Sequence, residues 1–217
     1  MIRARIGTDV FVIWSLPHRQ AQRLIGASGS ATRAEGRGWI SFAAVELSRV
    51  RVFGLLLPGT WSIAAWMLLV DLPGGRRGNR FLRMYCTSRL IRIAAWMLSS
   101  KGLVQRRSVS LRRDIERIAI EVPGEASLIV DRATHGSIDA RCRLDELFSQ
   151  NRSGVAGCGG GTLEMSLTKQ HWDMRLHDAR VAEARFLEGL ESRLEFAFDT
   201  SDNRATWNRP RRLPRAT

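Results

Sequence analysis

The sequence predicts a mainly α fold, a small helical bundle with flexible, partly disordered ends. Three observations carry this expectation. A run from Arg80 to Val104 places Leu82, Cys86, Leu90, Ile93 and Met97 at spacings of four and three, as one buried helix face requires. The string Ile63-Ala-Ala-Trp-Met-Leu68 recurs as Ile93-Ala-Ala-Trp-Met-Leu98, which suggests an antiparallel pair of similar core helices. Further apolar periodicity of helical type appears in 137–150 and in 173–198.

Taken in order, residues 1–51 form a basic N-terminal segment, partly loop, with eight arginines against three acids. Arg3 and Arg5 precede an apolar run, but Asp9 and the lack of a small-residue cleavage site argue against a secretory signal. Val10 to Trp14 reads as a short strand or a helix start, and Gly26 to Gly38 as a loop. Residues 52–150 are the expected helical core domain. Within it, Val52 to Val70 carries no charge and reaches the length of a membrane span, yet Pro58 and Gly59 interrupt it. It therefore reads as a turn followed by a buried helix from Trp61 to about Leu69, capped by Thr60. The nine residues from Asp71 to Asn79, with Pro73 and three glycines, form a turn. Residues 80–102 are the main helix, stopped by Lys101 and Gly102. Leu111, Ile115, Ile118 and Val122 fit a helix, while Ile118, Ile120 and Val122 alternate as in a strand, and Pro123-Gly124 closes either. Residues 137–150 form a second helix. Residues 151–162 are a Gly-rich linker, 163–199 hold a C-terminal helix, and 200–217 form a disordered Arg-rich tail.

Net charge is +13, and Lys101 and Lys169 are the only lysines. Residues 76–117 carry twelve cations and two acids, whereas 118–203 carry nine cations and fifteen acids, so the two parts can neutralise each other within one molecule. Cys86, Cys142 and Cys158 form no C-x-x-C pair, which argues against a disulfide framework and against a cysteine zinc site and fits a reducing, cytoplasmic compartment.

No catalytic signature emerges. Gly157-Cys-Gly-Gly-Gly161 resembles the glycine-rich motif of S-adenosylmethionine methyltransferases, but lacks an apolar strand before it and an acid-ended strand after it. His171 and His177 are six apart and fall on different helix faces, so no metal site is expected. The chain is read as no enzyme, with no cofactor and no metal. The candidate partner-binding surface is the stripe Tyr85, Arg89, Arg92 and Trp96 on the exposed edge of the main helix, residue types that dominate binding hot spots. The alternative places Trp96 in the core, with an arginine laid over a helix neighbour.

Thr87-Ser-Arg-Leu-Ile-Arg-Ile-Ala-Ala-Trp-Met-Leu98 resembles the signature helix of the RcdA family, and Ala140-Arg-Cys-Arg-Leu-Asp-Glu146 is similar to its closing helix. The resemblance covers residues 80–148. It implies a helical, commonly dimeric adaptor in regulated ClpXP proteolysis of cell-cycle factors, hence a protein partner. The alternatives are a basic nucleic-acid-associated protein, contacting phosphates through residues 76–117 and the tail, and a membrane-associated or non-selected reading frame, in which 52–70 meets the membrane.

Overall fold

The computed structural model describes residues 2–26, 29–52, 54–89, 103–132, 138–148, 153–158, 161–169, 174–200, 203–208 and 211–213. The chain runs β1 (Ile2–Pro17), α1 (His18–Ile25), β2 (Ser30–Ala31), β3 (Arg37–Val52), β4 (Leu55–Leu56), β5 (Thr60–Leu72) and β6 (Arg76–Cys86). It continues through β7 (Val104–Arg106), β8 (Ser110–Arg113), β9 (Arg117–Val122), β10 (Ala126–Asp131), α2 (Ile138–Phe148), β11 (Ser153–Cys158) and β12 (Gly161–Lys169). Last come β13 (Arg175–Ala184), a 3-10 turn (Arg185–Leu187), β14 (Arg193–Asp199), β15 (Asn203–Trp207) and β16 (Arg211–Leu213).

Seven strands close into a barrel in the order β1, β3, β5, β6, β11, β12, β15, with β15 returning to β1. Strand β1 is long enough to serve two sheets. Its residues 2–6 pair with β15, and its residues 10–15 pair with β14. From β14 a second sheet continues through β13, β10 and β9 to β8. The main apolar core lies between this second sheet and the outer face of the barrel, joining Val10, Val12, Phe42, Trp66 and Tyr85 to Ile118, Ile120, Leu128 and Val130. Trp66 is its centre, with the rings of Phe42, Trp14 and Phe186 at 4.8, 5.3 and 5.3 Å. Helix α1 rests directly on β3: a Cβ at Gly38 would lie 2.2 Å from the Ala21 Cβ, so only glycine allows that approach.

This architecture overturns the helical bundle. Residues 80–86 belong to strand β6, and Ile63 to Leu68 to strand β5, so the supposed helix pair is an antiparallel strand pair. The remaining positions of the predicted face, Leu90, Ile93 and Met97, lie outside the described residues. Strand β5 is packed on both sides: Ala64, Trp66 and Leu68 meet the second-sheet core, while Ala65, Met67 and Leu69 face the barrel interior. A strand buried on both faces reads as a continuous apolar run without period two, and the good helix formers in it were overridden by packing. The expected C-terminal helix in 163–199 is instead β12, β13 and β14, and the expected disordered tail contributes β15 and β16. The Gly-rich linker holds β11, which pairs with β12 from Ser153↔Ser166 to Cys158↔Gly161. Residues 118–122 are the strand that their alternation allowed, and helix α2 occupies 138–148 as predicted. Among the described residues no helix is long and apolar enough to cross a membrane, and the apolar stretch 52–70 supplies the end of β3, then β4 and most of β5.

Candidate functional site in the barrel interior

Because the second sheet covers the outer face, the alternate residues of β1, β3, β5 and β6 point into the barrel. They fall in cross-strand rows. Asp9, Val45, Ile63 and Cys86 form one; Phe11, Ala43, Ala65 and Met84 the next; Ile13, Ser41, Met67 and Phe81 a third. Beyond these, Ser15 lies opposite Trp39, and Leu69 opposite Asn79. The facing alanines Ala43 and Ala65 make the wall shallow in the second row. Phe81 reaches the neighbouring strand, where a Cβ on Gly154 would lie 2.8 Å from its ring. Phe11, Val45, Ile63, Phe81 and Met84 are only half-buried although they face inward. Among the described residues, these apolar side chains keep accessible area inside the closed ring, the side of a small barrel that can take a small ligand.

The α2 end of this interior is closed. Leu144, Leu147 and Phe148 pack with Ile13, Trp39, Leu69 and Phe198, and Phe198 stacks on Phe11 at 4.7 Å. Polar ties fix the helix there: Arg143 bonds Glu195 at 3.2 Å, the Ser15 hydroxyl donates to Glu195, and Arg37 Nε donates to Ser15 at 2.8 Å.

The inward wall carries few polar groups. Asp9 is 4% exposed and sits where β1 changes partner from β14 to β15. Thr200, the residue after β14, donates its hydroxyl to Asp9 Oδ2 at 3.0 Å and its amide to the Asp9 carbonyl at 2.9 Å. Ser41 is buried on the same wall, and the buried Asn79 Oδ1 accepts no hydrogen bond among the described residues. Asp9 therefore places a carboxylate beside the inward-facing apolar side chains of its row, Val45 and Ile63.

Three further ionic clusters lie outside that space. Glu125, in the β9–β10 turn, accepts from the Tyr85 hydroxyl at 2.9 Å and contacts Arg83 and Arg107 at 3.1 Å each. Burial, reinforced by the hydrogen bond to Glu125, pushes the Tyr85 phenol well above its usual range. Arg83 also lies over the Phe186 ring at 5.3 Å. Glu164 on β12 is held by Arg76, Arg211 and Ser153. Asp199 contacts His177 at 3.3 Å and Arg132 at 3.5 Å, all three largely out of solvent. Burial pushes the Asp199 carboxyl up, but contact with His177 and the charges of Arg132 and Arg175 outweigh it and hold it low.

The sequence-predicted stripe is not assembled as drawn. Tyr85 is fully buried on β6 and bonded to Glu125, whereas Arg89 is exposed, so no helical edge joins them. Arg92 and Trp96 lie outside the described residues. Sequence reasoning missed Asp9 as a functional candidate. The available signal was one acid inside the otherwise uncharged run from Ile6 to Leu16, counted only against a signal peptide.

A closed seven-stranded barrel carrying an outer sheet is the fold of acetoacetate decarboxylase-like proteins. The acetoacetate decarboxylase of Legionella pneumophila superposes with a TM-score of 0.72 at 10% identity, over 99% of this chain and 88% of that one. An acetoacetate decarboxylase-like enzyme from Sphingomonas wittichii gives 0.65 at 11% identity, over 98% and 92%. The enduracididine biosynthesis enzyme MppR, complexed with pyruvate, gives 0.66 at 11% identity, over 99% and 91%. Neither a protein-family model nor a curated protein matches the sequence. The shared fold overturns the RcdA-like resemblance, which implied a helical bundle. With it goes the non-catalytic adaptor reading, since the structures that share this barrel are described as enzymes. Of the cations that the nucleic-acid alternative relied on, Arg76, Arg83, Arg107 and Arg211 are engaged by the buried carboxylates of Glu125 and Glu164.

Proposed function

We propose that the chain is an enzyme that takes a small carbonyl compound, of the oxo-acid type, into the barrel and transfers a proton at the carbon beside the carbonyl. The observation that carries this reading is the buried Asp9 on an inward wall whose rows also hold the half-buried apolar side chains of Phe11, Val45, Ile63, Phe81 and Met84. The fold supports the substrate class, because structures that share it include acetoacetate decarboxylases and an enzyme complexed with pyruvate. Asp9 would accept the proton. The Thr200 hydroxyl, donating to Asp9 Oδ2, would hold the carboxylate in place. The apolar wall would exclude water from the exchange. Carbonyl chemistry through a lysine imine needs a desolvated amine. Of the two lysines in the chain, Lys101 lies outside the described residues, and Lys169 ends β12 with its Cα opposite Ala205. The reading therefore rests on Asp9.

The test is deuterium wash-in to the methyl group of pyruvate, followed by NMR in heavy water, for the wild type and for Asp9→Asn. General-base catalysis typically contributes 10²–10⁴-fold, so the variant should lose at least about 100-fold of the enzymatic rate. Borohydride reduction with pyruvate, read by mass spectrometry, should leave both lysines unmodified. Wash-in no faster than in buffer across a panel of oxo acids, or full activity in Asp9→Asn, would overturn the reading. An adduct on Lys101 or Lys169 would replace it by amine catalysis.

A further inference from the structure

Beside the Asp9 row, the next two inward rows build a niche of definite shape. Ala43 on β3 lies directly opposite Ala65 on β5, and one row further Ser41 lies opposite Met67. Ala43, Ala65 and Met67 are buried in one cluster, and Phe11, Phe81 and Met84 pack against it while keeping accessible area. The two facing alanines stop at Cβ, so they form a low, flat floor. Phe11 on β1 stands beside it opposite Ala43, and Met84 on β6 stands beside it opposite Ala65. Phe81, opposite Met67, bounds it from the next row. Ile13 completes that row, and of these eight residues only Ser41 is polar.

The aromatic walls are held from behind. Phe11 is stacked on Phe198, with ring centroids 4.7 Å apart and planes 8° from parallel. Phe81 rests against β11, where a Cβ on Gly154 would lie 2.8 Å from its ring. Side chains already fixed lose little freedom when a ligand arrives. A flat floor between two such rings and a thioether suits an aryl group, which pairs with aromatic rings and with sulfur at its edge. Phe11 follows Asp9 by two residues on β1, so the niche begins about 7 Å along the strand from the carboxylate. From the Asp9 row at Ile63 to the Phe81 row at Met67 is four residues on β5, about 13 Å. A three-carbon acid, with two carbon–carbon bonds of about 1.5 Å, occupies only part of that length.

We propose that the substrate is a 3-aryl-2-oxo acid of the phenylpyruvate type. Its ring lies on the floor of Ala43 and Ala65, between Phe11, Phe81 and Met84, and Asp9 faces the CH2 group that joins ring and carbonyl. The inference rests on the reading of Asp9 as the base and adds the group that the barrel selects. The step balances within the substrate and Asp9: a C–H bond breaks, the proton passes to the carboxylate, and the electron pair moves to the carbonyl oxygen as an enolate. A proton returned to the same carbon restores the acid. The new double bond of this enolate is conjugated with the ring, so ring and reacting carbon become coplanar, a geometry that the flat floor favours. A straight alkyl chain fills the same length without the ring-to-ring contacts, and a polar side chain loses its water with only Ser41 to replace it.

The experiment is isothermal titration of the wild type, Asp9→Asn and Ala65→Leu with phenylpyruvate, 2-oxooctanoate and pyruvate. Deuterium wash-in beside each carbonyl, followed by NMR and corrected for the rate in buffer, is measured in parallel, with melting curves as the folding control. The wild type should bind phenylpyruvate about 10- to 100-fold more tightly than pyruvate, the gain expected from burying one phenyl group. Asp9→Asn should keep that preference while losing wash-in. Ala65→Leu, whose side chain occupies the floor, should lower the phenylpyruvate-to-pyruvate affinity ratio at least about tenfold. Equal wild-type affinity for the two acids, a preference for 2-oxooctanoate, or an unchanged ratio in Ala65→Leu would overturn the proposal. Equal affinities together with pyruvate wash-in that disappears in Asp9→Asn would remove the aryl niche and leave Asp9 as the base. An aryl preference without wash-in of any acid would do the reverse. If Ala65→Leu fails to fold, Ala43→Val and the wild-type preference decide.

Discussion

Glu164→Gln is the most exacting test of how the barrel is held shut. Glu164 has no exposed side-chain area, yet it lies between two arginines that are 41% and 62% exposed. Arg76 Nη1 is at 2.6 Å, Arg211 Nε at 2.9 Å and the Ser153 hydroxyl at 2.8 Å. Burial pushes its carboxyl up, but the hydrogen bonds from Arg76, Ser153 and Arg211 win and hold it at about 2, against an ordinary value of 4.5. A carboxyl depressed in the folded state stabilises the protein fully above its unfolded value, and that contribution disappears as pH falls from about 4.5 to about 2. The whole drop would be worth about 3 kcal/mol, but half-exposed partners are screened by water, so about 1–2 kcal/mol is the working figure. The variant should lose about 2–3 kcal/mol at pH 7, less than a fully buried pair because both guanidinium groups can turn to solvent. The assay is urea unfolding followed by tryptophan fluorescence at pH 7, 5, 4 and 3. All carboxylates titrate in this range, so the decisive quantity is the difference between wild type and variant, which should shrink by about 1–2 kcal/mol towards the acid end. A constant difference from pH 7 to 3 would refute the reasoning.

Two further outcomes follow from the packing. Glu125→Gln should cost about 3 kcal/mol by leaving Arg83 and Arg107 without their carboxylate, whereas Tyr85→Phe, which keeps both ion pairs, should cost only about 1 kcal/mol in thermal melts; equal losses would show that the phenol is the anchor. Gly154→Ala should destabilise by about 1–3 kcal/mol because its methyl would sit 2.8 Å from the Phe81 ring, and Phe81→Leu should recover most of that loss in the double variant; additive losses would mean that the two do not meet.

What the sequence made legible were the breaks and the charges, and both are local or additive quantities. Pro58-Gly59 separates β4 from β5, Pro73 to Gly75 turns β5 into β6, and Pro123-Gly124 turns β9 into β10, as their backbone preferences require. The basic part 76–117 does pair with the acidic part 118–203: Arg76 meets Glu164, and Arg83 and Arg107 meet Glu125. Strand β5 was misread for a clear physical reason. A strand in the wall of a barrel that also carries an outer sheet has two apolar neighbours, so Ala64, Ala65, Trp66, Met67 and Leu68 are all apolar in succession and the period of two disappears. What remains is a run of good helix formers. Only the spacing of the turns, about a dozen residues between Gly59 and Pro73, carried the information that long hairpins were being built.

Two-sided burial explains the candidate site's near invisibility as well. An acid on a half-exposed strand is ordinary, because solvent takes its charge. Once both faces of β1 are covered, Asp9 has no water to turn to and must be bonded where it stands. The position chosen is the point at which β1 leaves β14 for β15, where Thr200 is freed from the ladder and can give Asp9 both its amide and its hydroxyl. The split of the sheet therefore brings Thr200 to where its hydroxyl donates to the Asp9 carboxylate and its amide to the Asp9 backbone carbonyl. No window of residues around position 9 encodes that coincidence, because Thr200 arrives from the other end of the chain. A substitution that removes only the hydroxyl should test it without touching Asp9: Thr200→Val keeps the shape and the amide bond, and should lower the proton-exchange rate on pyruvate while leaving the melting temperature within a few degrees of wild type. Loss of folding in Thr200→Val would make the pair a structural staple, and unchanged exchange would separate Thr200 from the chemistry.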